Sequence, residues 1–242
     1  MRVMGKRKPE TTRGWARALG FVDVAIRVEG PGSISMVVED EGVFGEYIRP
    51  YVFTLMGAKD DEAESGKWDD RWKAIGRVEL VRFMGAMALN DGIDLWEAAD
   101  AEDGDLEGAA SVFFGNTMRG DEGLSEAFYR LDMLLFQSVW LEPEFRGKGV
   151  AEQLFRRAVA FHDDSSLACV LVFPEPASFF REGQNVSDPL AEADHGVVGR
   201  GKLLKMLEGW GFEAVPGHDS SVLWLILDDM YSGAEAQAAA LN

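Results

Sequence analysis

One cysteine, Cys169, stands among 242 residues, so an internal disulfide is excluded. It lies in the apolar run Leu167-Ala168-Cys169-Val170-Leu171-Val172-Phe173, where a buried core thiol is expected rather than a nucleophile. Histidine is nearly as sparse. His162, His195 and His218 are scattered without metal-ligand spacing, so no metal is expected, and His162 and His218 read as incidental. No uninterrupted apolar run approaches the ~20 residues of a membrane span. The basic start (Lys6, Arg7, Lys8) is followed by no apolar stretch of signal-peptide type. A soluble, cytoplasmic chain with no membrane partner is therefore expected. Positive charge is short as well: 24 Lys and Arg face 42 Asp and Glu, a formal net charge of −18. Such a surface is poorly suited to neutralising phosphates, which argues against nucleic acid as a partner. The acidity either serves solubility or concentrates a cationic substrate such as an amine.

What is present is a large apolar complement, 47% of residues, enough for a sizeable core. Residues 1–17 are basic and read as a terminal arm. Residues 18–230 read as a single domain, and the alanine-rich 231–242 as a tail of frayed helix. No internal repeat is visible. Val22, Val24, Ile26 and Val28 alternate with polar neighbours, which predicts a half-buried strand over 21–28. Gly30-Pro31-Gly32 then turns, and Ile34, Met36 and Val38 resume the alternation, so a hairpin is expected. Further strands are predicted over 47–56 and over 75–89, the latter bent at Gly85. The acidic stretch 59–70 reads as a loop. Ile93, Leu95, Trp96 and Ala99 recur at helical spacing before an acidic cluster, and 124–131 is a second amphipathic piece. An apolar strand follows over 134–141. A helix over 149–161 places Val150, Leu154, Ala158 and Phe161 on one face, with Glu152, Arg156 and Arg157 outward. The run 167–173 reads as a central strand covered on both faces. A long loop or lid spans 174–198. A helix over 202–210 buries Leu203, Leu204 and Leu207 and stops at Gly211, and a last strand covers 222–227.

The spacing Gln/Arg-x-x-Gly-x-Gly/Ala occurs twice, at Arg27-Val28-Glu29-Gly30-Pro31-Gly32 and at Arg146-Gly147-Lys148-Gly149-Val150-Ala151. The first lies between two alternating strands, and its proline removes an amide donor. It reads as a hairpin turn. The second joins a strand to a helix. Its glycines let backbone approach a ligand closely. The first helical turn leaves amides unpaired, and the helix dipole adds partial positive charge, which suits a diphosphate. Arg146 and Lys148 add formal charge. An ordinary strand-to-helix turn with surface cations would show the same six residues, so the surroundings must decide.

Those surroundings, Val139-Trp140-Leu141-Glu142-Pro143-Glu144-Phe145-Arg146-Gly147-Lys148-Gly149, resemble the strand-to-helix signature of the GNAT N-acetyltransferase superfamily. The order downstream is also similar: an apolar strand, a helix ending in Trp210-Gly211-Phe212-Glu213, and a final strand. The resemblance covers about 134–227. It implies an α/β (α+β) fold with a mixed, mostly antiparallel central sheet flanked by helices, in which two central parallel strands splay apart. It implies acetyl-CoA as co-substrate, with the pantetheine lying in the splay like an extra strand. Carried over by position, Trp140 and Leu141 would bond the pantetheine and the thioester carbonyl. The main chain of Arg146, Gly147, Lys148, Gly149, Val150 and Ala151 would cradle the pyrophosphate. A fixed amide on the carbonyl is oxyanion-type stabilisation, and holding both substrates together adds proximity.

Two departures accompany this match. Where many members have a tyrosine acid the chain has Leu207, and where some have a glutamate base it has Leu135. Substitutes nominated by position are Glu142 at the mouth of the splay, Glu175 just past the next strand, Asp132 before the central strand, and His195 in the long loop. A water relay without a dedicated acid is the alternative. In the long loop Phe179, Phe180 and Arg181 either cover an acceptor or simply fasten the loop. The leading expectation is acetyl transfer to a small-molecule or peptide amine by direct attack in a ternary complex. The alternative is an acyl-CoA-binding module of the same fold without catalysis. A P-loop enzyme is disfavoured, because the Gly-x-x-x-x-Gly-Lys-Ser/Thr spacing is missing.

Overall fold

The computed structural model describes residues 19–21, 23–30, 46–58, 72–102, 104–117, 131–162, 166–175, 197–218 and 221–227. Within them, seven strands form one sheet: β1 (Asp23–Glu29), β2 (Ile48–Ala58), β3 (Trp72–Phe83), β4 (Asp132–Leu141), β5 (Leu167–Val172), β6 (Glu213–Ala214) and β7 (Leu223–Ile226). Their order is β1-β2-β3-β4-β5-β7-β6. All neighbours are antiparallel except β4 and β5. The helices are α1 (Gly85–Asp91), α2 (Leu95–Glu102), α3 (Gly104–Thr117), α4 (Val150–Phe161) and α5 (Val197–Gly209). The protein is thus a mixed α/β structure with a mostly antiparallel sheet and one parallel pair, flanked by helices. No helix among the described residues is long and apolar enough to cross a membrane.

Strand alternation divides the core by face. Leu134, Phe136, Val170 and Val172 point to the side carrying α4 and α5, where Leu154, Phe155, Leu203 and Leu207 are buried. Met133, Leu135, Cys169 and Leu171 point to the other side, against Leu95, Ala98, Ala109, Ala110 and Phe113 of α2 and α3. Every residue of β5 is buried, as its unbroken apolar run predicts. The connection through α4 is what lets β4 and β5 run parallel, since parallel neighbours require a crossover.

Several expectations are corrected. The strand expected over 75–89 begins at Trp72, ends at Phe83 and gives way to α1. An apolar run of this kind is ambiguous in period, and Ala-Met-Ala-Leu are strong helix formers. The decision comes from Asp132, whose Oδ1 accepts the Ala86 amide at 3.1 Å in the first turn of α1. Helix α3 was not expected at all. On α4, Phe161 leaves the buried set and is 43% exposed, while Phe155 and Val159 enter it. Phe161 is the last helical residue; its ring meets those of Phe53, Tyr51 and His162 and is otherwise open to water. Ala25, expected on the polar side of β1, is buried with Met56, Ala58 and Trp72. Helix α5 starts at Val197, inside the expected loop, and Leu204 is only half-buried. Gly211 ends this helix at φ 96°, as expected of a left-handed terminator. The arm 1–17, the strand at 34–38, the acidic loop, the piece at 124–130 and the alanine-rich tail lie outside the described residues.

Candidate functional site

Strand β4 outruns its parallel partner. Pairing runs from Asp132↔Leu167 to Phe136↔Val172, where β5 itself ends, while β4 continues to Leu141 alongside β3. A bulge follows in β4. Phe136 lies opposite Leu80 and Ser138 opposite Glu79, so Gln137 is an extra residue in β4. The faces switch accordingly: Leu134 and Phe136 share a core with Val139 and Leu141, although the numbering parity has changed. A bulge bends its strand and increases local twist.

Beyond the bulge the backbone directions can be read. The Glu142 amide bonds the Ile75 carbonyl at 3.1 Å, and Leu141 lies opposite Gly76. Leu141 and Gly76 are therefore a non-hydrogen-bonded pair, and alternation makes Val139 and Val78 another. Val139 and Leu141 turn their amides and carbonyls away from β3, to the edge of β4 beyond the end of β5. Trp140, opposite Arg77, turns its main chain to β3. Of the two backbone donors expected from the sequence, Leu141 thus faces that edge. Trp140 does not, and Val139 takes its place. The Leu141 carbonyl already accepts the Arg146 Nε at 3.0 Å, which ties the guanidinium to the mouth of the opening.

The glycine turn follows at once. Pro143–Phe145 forms one 3-10 turn, and Phe145 is buried beneath it. Gly147 and Gly149 adopt φ 71° and 73°, values other residues reach only with strain. A Cβ at Gly147 would meet nothing within 4 Å, and one at Gly149 only the Gln153 Nε2 at 4.0 Å, so the space above the turn is open. Gly149 caps α4 without any side-chain hydrogen bond, and the first bond into the helix is Gln153 N–H to the Gly149 carbonyl at 3.2 Å. Gly149, having no side chain, offers no cap to the amides of Val150, Ala151 and Glu152. Of the six expected residues, Arg146, Gly147, Lys148 and Gly149 are exposed, Ala151 is half-buried, and the Val150 side chain is buried.

Lys73 joins this turn and was not foreseen. Its Nζ lies 5.9 Å from the centroid of the Phe145 ring, and the Lys148 Nζ lies 5.7 Å from the same centroid. Lys73 donates to Glu144 Oε1 at 2.9 Å across 71 positions of sequence. That hydrogen bond is the main reason its pKa is raised above the ordinary lysine value, so the ammonium stays charged. No local pattern could have announced it.

The candidate proton-transfer residues separate. Glu142 is half-buried at the end of β4, and Glu175 is exposed just past the end of β5, so both lie at the C-terminal end of the parallel pair. Asp132 does not. It is buried at the opposite end, with Oδ2 bonded to Arg82 Nη2 at 2.6 Å and to the Ser166 hydroxyl at 2.9 Å. Its role is to join β3, β4, β5 and α1, which removes it from the candidates. Leu135 and Leu207 are buried apolar residues, so neither position offers a proton. His162 is buried with its ring 4.3 Å from that of Tyr51, and His218 is exposed. Burial pushes the Cys169 thiol up to about 12, so it is not a nucleophile at neutral pH. His195, Phe179, Phe180 and Arg181 lie outside the described residues. No protein-family model matches the chain, and no curated protein matches it in sequence.

Proposed function

We propose that the protein is an acyl-CoA-dependent N-acyltransferase of the GNAT type, moving an acetyl group from acetyl-CoA to a primary amine. The supporting observation is one coincidence of geometry. The parallel pairing ends at Phe136 and Val172, and β4 runs on with no partner on that side among the described residues and leads directly into the glycine-capped start of α4. A sheet that is antiparallel at first and contains one parallel pair is compatible with what the resemblance implies. An extended pantetheine arm would meet the outward main chain of Val139 and Leu141 as a neighbouring strand would. The diphosphate would take the free amides of α4 and the charge of Lys148. The Leu141 or Val139 amide then polarises the thioester carbonyl. A neutral amine attacks that carbon, the nitrogen loses its proton to a carboxylate or water, the carbon–sulfur bond breaks, and CoA leaves as thiolate.

Calorimetry with CoA, together with thiol release from acetyl-CoA in the presence of primary amines, tests this reading. Failure to bind CoA refutes it. A second reading, a CoA-binding module without catalysis, draws on the apolar burial of Leu135 and Leu207, where the family's base and acid would stand. Binding without turnover favours it.

A further inference from the structure

The sheet face opposite α4 carries two rows with charged members that the glycine turn does not explain. Cross-strand register aligns Arg27, Thr54, Arg77 and Trp140 in one row and Glu29, Val52, Glu79 and Ser138 in the next. On the α4 side of the same stretch, Val139, Leu141, Phe145 and Val150 are buried in the core. The α4 side is therefore closed to a small acceptor reaching a thioester laid along the edge of β4 beyond Phe136, and the partly exposed Glu79 side chain lies on the other face.

The carboxylate nearest β4 on these rows is Glu79. It faces Ser138, the residue immediately after the bulge, and the Ser138 hydroxyl donates to its Oε2 at 2.8 Å. Arg77 Nη2 stands 2.6 Å from its Oε1. Each oxygen thus holds one partner. An ionised carboxylate offers about four acceptor positions, so roughly half its capacity is left for an incoming N–H. Its side chain is 25% exposed, which leaves it fixed yet reachable. The other charged groups on these rows, Arg27 and Glu29, pair with each other at 3.0 Å two strands away.

We propose that Glu79, positioned by Ser138 and Arg77, receives the proton of the acceptor amine, filling the role that Leu135 cannot. This rests on the acyltransferase reading. The amine nitrogen bonds to the acyl carbon, the electron pair of the carbon–sulfur bond goes to sulfur, and the nitrogen's proton passes to the Glu79 carboxylate. The proton then leaves to water, restoring the carboxylate. The acceptor is a primary amine small enough to lie over Trp140 and Ser138.

The test is acetyl-CoA turnover, followed by thiol release, with ethanolamine, spermidine, glycine and a lysine peptide, across pH, for the wild type, Glu79→Gln, Glu79→Asp and Ser138→Ala. Glu79→Gln is expected to lower kcat by about a hundredfold or more and to abolish the carboxylate limb of the pH profile. Affinity for CoA should stay within twofold. Glu79→Asp should recover part of kcat with a displaced limb, and Ser138→Ala should lose a few-fold. Retention of kcat within about threefold in Glu79→Gln, with an unchanged pH profile, overturns the assignment. If Glu79→Gln does not fold, an unaltered kcat and pH profile in Glu79→Asp overturns it equally. CoA binding with no turnover of any amine also overturns it. Loss of CoA binding in the wild type condemns the acyltransferase reading itself, so the two failures are distinguishable.

Discussion

Gly149→Asp places a side chain and a charge over the helix start that the functional reading requires to be bare. The position has φ 73°, where a side chain costs about 1–2 kcal/mol. The added Cβ meets only Gln153 Nε2 at 4.0 Å, so no steric term adds to this. For a chain of this size that cost lowers the melting temperature by roughly 2–8 °C and leaves the fold intact. Binding suffers more. A carboxylate about 4 Å from one phosphate charge costs roughly 1 kcal/mol in water and about 4 kcal/mol near a protein surface. Two such charges at the weak limit give about 2 kcal/mol, or a Kd raised by about thirtyfold or more. Calorimetry with CoA measures it. Gly211→Ala is the control, because φ 96° imposes similar strain away from the turn. That variant should melt earlier and bind CoA normally. A folded Gly149→Asp protein that binds CoA within threefold of the wild type refutes the placement of the diphosphate.

Other consequences follow from the same structure. Gly85→Ala puts a methyl group onto the Leu131 carbonyl oxygen, a backbone atom that cannot rotate away. It should destabilise by about 1–3 kcal/mol in denaturant titration; a neutral effect would mean that α1 does not start there. Asp132→Ala removes the acid from a buried pair with Arg82 whose side chains are 2% and 9% exposed, and should cost about 3–5 kcal/mol. An effect below 1 kcal/mol in the same titration would show that the pair is not buried as described. Cys169 keeps its proton in the fold up to about 12, against 9.0 for a free thiol. Between those values the unfolded chain holds fewer protons than the folded one, so stability is complete below pH 9 and falls as pH rises. The slope approaches 1.4 kcal/mol per pH unit. Denaturant titrations at pH 8 and pH 11 of the wild type and Cys169→Ala isolate it, and equal losses in both proteins would count against a buried thiol.

The glycine turn was legible because everything it needs is local. Strand residues 134–141, two glycines and the amphipathic run from Val150 lie within 28 consecutive residues of chain, and a mostly apolar run gives way to 3.6-residue periodicity across the turn. The covered strand 167–172 was legible for the same reason: no polar residue interrupts it. The apolar identity of positions 135 and 207 was also there to read. The path after Phe83 was not. It depends on Asp132, 46 positions away, holding the first turn of α1.

Local periodicity by itself determined where the strand, the turn and the crossover helix lie, because side-chain direction within an element follows from neighbouring residues alone. Only the tertiary structure decided which edge of β4 is left unpaired, that Trp140 faces β3 while Val139 and Leu141 face outward, and that Lys73 reaches Phe145. It also decided that Asp132 is consumed by Arg82 and that Glu79 meets Ser138 across 59 positions. These are outcomes of register between distant strands. A single extra residue, Gln137, reverses which side chains share a face, and no local pattern encodes the partner against which that residue becomes extra.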